Sequence, residues 1–378
     1  MSNETAVSPR VPASARIASL DQFRGYTMLG MFVVNFVGSF TVIPAILKHH
    51  NTYCSYADTI MPQFFFAVGF AYRLTFLRRS TMGSGFAVYA HFVKRSLGLI
   101  ALGAILYVGG AAFEEWLRPP PAQSTPLLVL AIRRELFQAL VHIGVTCLWI
   151  MPVMGAAPAV RIAFAALSSL IHLGLSYGFY YDWVMTTPGI DGGVLGFLTW
   201  TVPTLAGSLA YDIVTGGDRR AAVGRLIRWG LALMLLGYAL SCLNLVTPPN
   251  SPRGGGVTSI LIEPPFVPPT RPVNLWTMSQ RAGSLSYLTF GAGLSMAIYA
   301  LFVWACDVHG FQIGPLRTFG KNALAGYVIH GLVDQFVFKP FTARDMSLGA
   351  TLAALALFLA ICYGCLRALE KRGIFLRL

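Results

Sequence analysis

The stretch LGATLAALALFLAICYGCL, residues 348–366, carries no charged side chain and is long enough to cross a bilayer as one α-helix. Comparable apolar runs recur along the 378-residue chain, which is 55% hydrophobic and only 11% charged. Soluble domains carry about 25% charged residues. The sequence therefore predicts an all-α, polytopic membrane helix bundle rather than a soluble domain with a single anchor.

About ten segments are apolar over the roughly 20 residues that a transmembrane helix needs. The predicted spans are residues 25–47, 57–77, 95–113, 136–155, 160–179, 196–215, 225–246, 283–306, 318–338 and 348–368. Lys and Arg concentrate in alternate loops, which by the positive-inside rule places both termini in the cytoplasm. Arg133 and Arg134 are an exception, because they precede the fourth span on the predicted outer side.

The segments outside the spans complete the predicted organisation. Residues 1–18 are polar and lack a signal-peptide core, so we expect a cytoplasmic tail followed by a membrane domain over residues 19–378. Residues 247–282 form a long outer loop rich in Pro and Gly, with the runs TPPNSPRGGG and EPPFVPPTRP. This composition fits two alternatives, a lid folded over the bundle and a disordered connector.

Charge and cysteine usage narrow the classes of partner. The net charge of +13 is accounted for by the cytoplasmic loops of a membrane protein, and no basic helix with interleaved aromatic residues indicates nucleic-acid binding. The six cysteines are scattered, and Cys362 and Cys365 lie inside an apolar run. We therefore predict small buried cysteines, with no disulfide and no metal site.

Titratable residues lie between two apolar runs in LKHHNTYCSYADTIMPQFFF, residues 47–66. His49 and His50 are predicted at the outer mouth, and Asp58 at the start of the second span. A histidine can take a proton from an amine or hydroxyl, or carry an acyl group, and a nearby carboxylate would fix its tautomer. Two ordinary histidines in a surface loop are the alternative, which these residues alone favour.

Four short motifs follow one another along the chain. They are SLDxFRG at residues 19–25 with Asn35 ten residues later, ADxxMPxFxFxxG at 57–69, PVNLWTxS at 272–279, and GxNxxxxYxxH at 320–330. Together they resemble the heparan-α-glucosaminide N-acetyltransferase family of transmembrane acyltransferases, in particular its bacterial members. The chain departs from that family at NTYCSY, where the family has W-x-G, and at His142, which ends the family's L-Q-R motif here.

The resemblance implies a function and a location. It implies that an acetyl group moves from cytoplasmic acetyl-CoA, the only cosubstrate expected, to an amino sugar or sugar hydroxyl outside a bacterial inner membrane. Apart from the lipid bilayer, the expected partners are therefore acetyl-CoA and an extracytoplasmic glycan or amino sugar. A homo-oligomer is compatible with this function.

The resemblance also implies roles for individual residues. Asp58 would act with His49 or His50 in catalysis, and the spacing to Asp58 favours His49. The residues expected to bind acetyl-CoA are Asp21, Arg24, Asn35, Arg95, Arg317 and Lys321. The residues expected to line the channel and bind the acceptor are Asn274, Trp276, Ser279, Asn322 and His330.

Other functions fit the same residues. Asp21 and Arg24 lie three positions apart on one helical face, so an interfacial ion pair without chemistry is the simpler interpretation of their spacing. Intramembrane polar groups also line the substrate or proton paths of transporters, so a transporter or flippase is the main alternative function. An inactive membrane scaffold is a third.

Overall fold

The computed structural model describes residues 17–116, 136–186, 189, 191–245 and 261–376. The helices are α1 (Ala18–Val37), α2 (Ile60–Ser80), α3 (Gly85–Trp116), α4 (Ala139–Ile150), α5 (Pro158–Leu175), α6 (Tyr181–Thr186), α7 (Phe197–Thr215), α8 (Arg219–Cys242), α9 (Leu285–Phe302), α10 (Gly314–Lys321), α11 (Ala323–Val333) and α12 (Leu348–Lys371). Three π-helical segments, Ser176–Tyr180, Val303–Val308 and Asp334–Phe338, extend α5, α9 and α11.

The all-α fold is confirmed, since these described residues contain helices and no strands. Six helical stretches are long and apolar enough to cross a membrane: residues 57–80, 85–110, 158–186, 219–245, 285–308 and 348–371. Two shorter apolar stretches cover residues 139–153 and 323–338. The predicted first and sixth spans, α1 and α7, are helical but are not among the six.

The predicted first span ends too late. Its helix, α1, ends at Val37, ten residues before the predicted end, and residues 38–56 are irregular apart from one short 3-10 turn. The sequence explains the break, because Gly38 and Ser39 are weak helix formers and Pro44 cannot continue a helix. The polar stretch with both histidines is therefore a long connection between α1 and α2.

Burial separates central helices from peripheral ones. The apolar windows of α2 and α9 are 61% buried inside the protein, against 17% for α12 and 22% for α3, α5 and α8. Large aliphatic side chains are correspondingly exposed on the peripheral helices, such as Leu170, Leu235 and Leu357. Apolar surface of this kind is compatible with contact to lipid tails.

Three helices, α2, α7 and α9, run parallel through the centre. Phe65 of α2 stacks on Trp200 of α7 with 4.4 Å between ring centroids, and further along Arg73 pairs with Asp212. Close approach depends on glycine, because a Cβ on Gly69 would lie 1.7 Å from the backbone oxygen of Thr204. These three helices begin at the same end of the bundle, which we call the histidine end because His49 lies there.

Other helices begin at the opposite end, which we call the arginine end. Ser19, at the start of α1, donates a hydrogen bond to Asp307 beyond the end of α9 at 2.6 Å. Gly237 of α8 faces Phe290 of α9, while Gly230 faces Gly293, so α8 runs antiparallel to α9. Chain direction therefore alternates from α1 to α2 and from α8 to α9.

A buried ion cluster joins helices near the arginine end. Arg161 is fully buried and donates hydrogen bonds to Ser208 at 2.8 Å and to Asp212, which also accepts from Arg73 at 3.1 Å. Neither Arg73 nor Asp212 is therefore an isolated interfacial charge. The shared carboxylate holds α2, α5 and α7 together, and removing it would leave two arginines in an apolar bundle.

Candidate functional site

The connection between α1 and α2 folds back on itself. Ser55 Oγ donates to the backbone oxygen of Lys48 at 2.7 Å, and the Tyr56 amide donates to the backbone oxygen of Ile46 at 3.1 Å. These two bonds close a loop over the start of α2. As a result His49 and Asp58, nine positions apart, face each other.

Asp58 is a fully buried carboxylate whose oxygens are held by hydrogen-bond donors. Oδ2 accepts from the Ser55 amide at 2.9 Å and lies 2.9 Å from Ser55 Oγ, whose single proton is shared with the backbone oxygen of Lys48. Oδ1 lies 2.8 Å from Nδ1 of His49. Because an ionised carboxylate only accepts hydrogen bonds, Nδ1 of His49 carries the proton. The other ring nitrogen, Nε2, is then a lone-pair acceptor in neutral His49, which is the state a general base requires.

The two adjacent histidines differ in their surroundings. His50 stacks on Tyr53 with 4.3 Å between ring centroids, and its Nε2 donates to the backbone oxygen of Ala45 at 2.7 Å. It contacts Asp58 only through its backbone amide, at 3.4 Å. The geometry thus pairs His49, and not His50, with the buried carboxylate.

The His49 ring is both reachable and electrostatically tuned. Its side chain is 36% exposed, whereas that of Asp58 is 1% exposed, so a small molecule can reach the ring from the histidine end. Burial lowers the pKa of His49, but the hydrogen bond and negative charge of Asp58 outweigh it and raise the pKa above 6.5. The imidazolium formed by proton transfer is therefore stabilised.

A second buried carboxylate, Asp191, lies at the same end and was not among the residues expected from the sequence. Its side chain accepts a hydrogen bond from Nε2 of Gln280 at 2.8 Å, and its backbone oxygen accepts from Nε1 of Trp200. Burial raises the pKa of Asp191 to about 6, against smaller lowering contributions from Gln280 and His49. The only sequence signal was an acidic residue in the loop YYDWVMTTPGIDGG, which has no basic residue.

The described part of the proline-rich segment, residues 261–284, folds back over the histidine end. The Phe266 amide donates to the backbone oxygen of Cys54 at 2.9 Å, and Ser279 Oγ donates to that of Asn51 at 2.6 Å. The Gly192 amide donates to the backbone oxygen of Arg281 at 3.1 Å. For these residues the lid alternative holds, while residues 246–260 lie outside the described part of the chain.

The expected acceptor-binding residues of this segment hold it in place. Nδ2 of Asn274 donates to Oδ1 of Asn244 at 2.9 Å, and Oδ1 of Asn274 accepts from the Trp276 amide. Trp276 is buried, and its indole N–H donates a hydrogen bond to the hydroxyl of Tyr177 at 3.1 Å. Together with the Ser279 bond to Asn51, these contacts fix the fold of the segment, and direct binding of an acceptor stays a prediction.

A cavity of about 130 Å³ lies beside α2. Arg24 of α1 and Arg95 of α3 line it together with Ala71, and Met61 lines it close to Asp58. From Met61 to Ala71 the helix rises about 15 Å, at 1.5 Å per residue. The cavity thus connects the first turn of α2 to two arginines deeper in the bundle, and the rest of its lining is mostly apolar.

The remaining expected site residues fall into two groups. Asn35 and His330 form a pair, with Nδ2 of Asn35 3.4 Å from Nε2 of His330, whose ring stacks on Phe32. The others gather toward the arginine end and are Asp21, Arg317, Lys321 and Asn322.

Two residues of the second group have clear structural partners. Lys321 pairs with Glu370 of α12 at 2.7 Å. Asn322 donates to the backbone oxygen of Ile374 at 3.0 Å and accepts from the Leu376 amide at 3.1 Å. Both side chains therefore tie α10 and α11 to the C-terminal residues, at the opposite end of the bundle from His49.

No protein-family model and no curated protein matches this chain. Among the described residues no group of three or more His, Cys, Asp or Glu side chains is arranged to hold a metal ion, and the six cysteines are free. Within the described residues, the site brings the His49 imidazole together with the buried carboxylate of Asp58.

Proposed function

We propose that this protein is an integral, multi-pass membrane acyltransferase related to the heparan-α-glucosaminide N-acetyltransferase family. It transfers an acetyl group from cytoplasmic acetyl-CoA to an amino sugar or sugar hydroxyl on the other side of a bacterial inner membrane. The observation that carries the proposal is the His49–Asp58 pair, in which the carboxylate fixes the tautomer of a histidine base. The pair lies at the start of α2, and residues of α2 line the cavity that also contains Arg24 and Arg95.

The proposed topology has ten membrane-crossing segments with both termini in the cytoplasm. Two observations support it: the chain direction alternates between successive helices, and exposed Arg78, Arg79 and Arg317 lie at the arginine end. Basic residues concentrate on the cytoplasmic side of membrane proteins. The arginine end is then cytoplasmic, where acetyl-CoA is made, and the histidine end faces the glycan.

Arg24 and Arg95 are suited to an anionic cosubstrate. Guanidinium groups form strong charge-assisted hydrogen bonds with phosphates. The other residues that line the cavity are mostly apolar, which suits the pantetheine chain of acetyl-CoA. Bound there, acetyl-CoA supplies an activated thioester. The cavity reaches Met61, three positions after Asp58, so the proposal places the thioester at the end of the cavity nearest the His49–Asp58 pair.

The proposed reaction balances without a metal or redox partner. Neutral His49 takes a proton on Nε2 as the amine or hydroxyl attacks the thioester carbonyl, while the Nδ1–H bond to Asp58 stabilises the imidazolium. The new C–N or C–O bond forms, the C–S bond breaks, and the departing thiolate receives the proton. An acetyl group carried transiently by His49 is the two-step version of the same transfer.

The test is acetyl transfer by the full-length protein in detergent, with radiolabelled acetyl-CoA and glucosamine. We expect His49→Ala to lose at least about 100-fold in rate, the lower range for removal of a general base. The matched His50→Ala variant keeps most of the rate, since its ring does not contact the Asp58 side chain. Absence of both CoA binding and transfer in the wild type, with glucosamine uptake by proteoliposomes lacking acetyl-CoA, would favour the transporter or flippase instead.

A further inference from the structure

Gln280 lies within reach of both His49 and Asp191, and each of its chain neighbours is anchored by a hydrogen bond. Ser279 bonds to Asn51, two residues after His49, and Arg281 accepts from Gly192, the residue after Asp191. The amide of Gln280 donates through Nε2 to the Asp191 carboxylate at 2.8 Å. Its position is thus set by three hydrogen bonds to two separate loops.

The bond to Asp191 also sets the orientation of the amide. A carboxylate accepts hydrogen bonds, so the nitrogen of Gln280 faces Asp191 and the oxygen faces away. This Oε1 atom is buried and has no hydrogen-bond partner within the described residues. A buried oxygen without a donor is unfavourable unless a donor occupies it in another state of the site.

We propose that Asp191 and Gln280 are positioning residues for His49, in which Asp191 orients the Gln280 amide so that Oε1 accepts a hydrogen bond from the protonated imidazole. The inference rests on the proposed role of His49 as the base. Neutral His49 has one N–H, which Asp58 occupies, whereas the imidazolium has two. Oε1 of Gln280 is therefore an acceptor for the second N–H, which exists only in the imidazolium. An interaction that forms only as the proton is transferred favours the transition state over the ground state.

Electrostatics around the ring agree with this arrangement. Gln280 and the charge of Asp191 both raise the pKa of His49, although less than Asp58 does. The other titratable groups nearby are Lys48, His50, Tyr53, Cys54 and Tyr287. Burial raises the pKa of the Cys54 thiol and of Tyr53, which keeps both neutral, and His50 is turned toward Ala45.

The experiment measures the pKa of His49 without relying on any acetyl transfer. Diethyl pyrocarbonate modifies neutral imidazole, so the pH dependence of His49 modification, read by peptide mass spectrometry, reports the pKa. The background is His50→Gln, which leaves a single histidine in the peptide. The variants are Gln280→Leu, Gln280→Glu and Asp191→Asn, with Asp182→Asn, an exposed residue of α6, as matched control.

We expect the midpoint of His49 modification to fall by about half a pH unit or more in Gln280→Leu and Asp191→Asn, and to rise in Gln280→Glu. Asp182→Asn leaves it unchanged. Unchanged midpoints of His49 modification in all three variants, in protein that keeps the elution volume of the wild type, would overturn the proposal. A wild type that does not transfer acetyl refutes the proposed function alone, because the midpoint shifts are measured independently.

Discussion

At the scale of single residues, the buried carboxylate of Asp58 decides the chemistry of its neighbours. Its two oxygens accept hydrogen bonds from Ser55 and from His49, so the carboxylate is held in one orientation without exposure to water. His50, one residue away, receives none of this influence on its ring. Two adjacent histidines thus differ in role: the Asp58 carboxylate raises the pKa of His49, whereas the ring of His50 bonds to the backbone of Ala45.

The raised pKa of His49 predicts the pH dependence of acetyl transfer. Only neutral His49 accepts a proton, so the rate rises with pH through a midpoint above 6.5. In Asp58→Asn the charge that raises the pKa is gone, so the midpoint moves to lower pH while the plateau rate falls because the tautomer is no longer fixed. Rate profiles from pH 5 to 9 measure both effects, and a midpoint that stays in place in Asp58→Asn contradicts the pairing.

Asp191 predicts a pH-dependent contribution to stability. Its pKa of about 6 lies above the model-peptide value of 3.8, so the folded state binds the proton more tightly than the unfolded state. The contribution of this group is fully present below about pH 4 and is lost as pH rises through 6, which amounts to about 3 kcal/mol. Asn does not titrate, so the Asp191→Asn variant keeps this contribution. The thermal midpoint of the variant minus that of the wild type should therefore increase as the pH is raised from 4 to 7.

The control for that prediction is Asp182→Asn, an exposed aspartate of the short helix α6. Its midpoint should follow that of the wild type at every pH. If the difference between Asp191→Asn and wild type were the same at pH 4 and pH 7, the raised pKa of Asp191 would be wrong.

At the scale of helices, α2 organises the site. Asp58 lies in the turn directly before α2. The middle of α2 packs on α7, and residues on another side of α2 line the cavity. The contact with α7 is close because both helices carry a glycine where the other backbone approaches, Gly69 beneath Thr204 and Gly207 beneath Phe66. Small residues at such contacts are characteristic of membrane helix pairs, where packing rather than hydrophobicity drives association.

Gly69→Ala tests this contact. The new Cβ would lie 1.7 Å from a backbone oxygen, so the two helices must separate, and we expect a loss of at least about 1–3 kcal/mol. The matched control is Gly174→Ala in α5, where nothing lies within 4 Å of the added Cβ and alanine favours the helix. Thermal midpoints in detergent should fall for Gly69→Ala and hold or rise for Gly174→Ala. Equal midpoints for both variants contradict the close packing of α2 on α7.

At the scale of the whole molecule, the bundle places different chemistry at its two ends. The proline-rich segment and the polar loops cover the histidine end, while the ion cluster of Arg73, Arg161 and Asp212 lies near the other. The cavity with Arg24 and Arg95 lies between them. Under the proposed function, a charged cosubstrate and a polar acceptor would approach from opposite sides.

The position of Arg24 and Arg95 in the cavity predicts that replacing either of them weakens acetyl-CoA binding and leaves the His49–Asp58 hydrogen bond in place. We expect Arg24→Ala and Arg95→Ala each to weaken acetyl-CoA binding about 10–100-fold, the effect of losing one charge-assisted hydrogen bond. The exposed Arg78→Ala is the matched control and should bind as the wild type does. Calorimetric titration with acetyl-CoA measures the affinities. Wild-type affinity in both cavity variants would place the cosubstrate elsewhere.

The sequence was sufficient for the all-α fold class, while the functional roles assigned to the site residues stay predictions. Apolar runs and their lengths predict helices through local periodicity, and the pairing of His49 with Asp58 was among the arrangements expected from their spacing. The end of α1 was missed, because apolar residues continue past Val37 although Gly38, Ser39 and Pro44 stop the helix. Arg73 and Asp212, 139 positions apart, gave no local sign that they share a buried cluster.

By itself, then, the sequence determined an all-α bundle of apolar helices and the presence of titratable groups between its apolar segments, since hydropathy and helix periodicity are local properties. Only the tertiary structure decided that His49 rather than His50 meets Asp58, and that Gln280 reaches Asp191 across 89 positions. Those choices depend on hydrogen bonds between loops that packing brings together, such as Ser279 with Asn51 across 228 positions. Contacts of that range leave no periodic trace in a single chain.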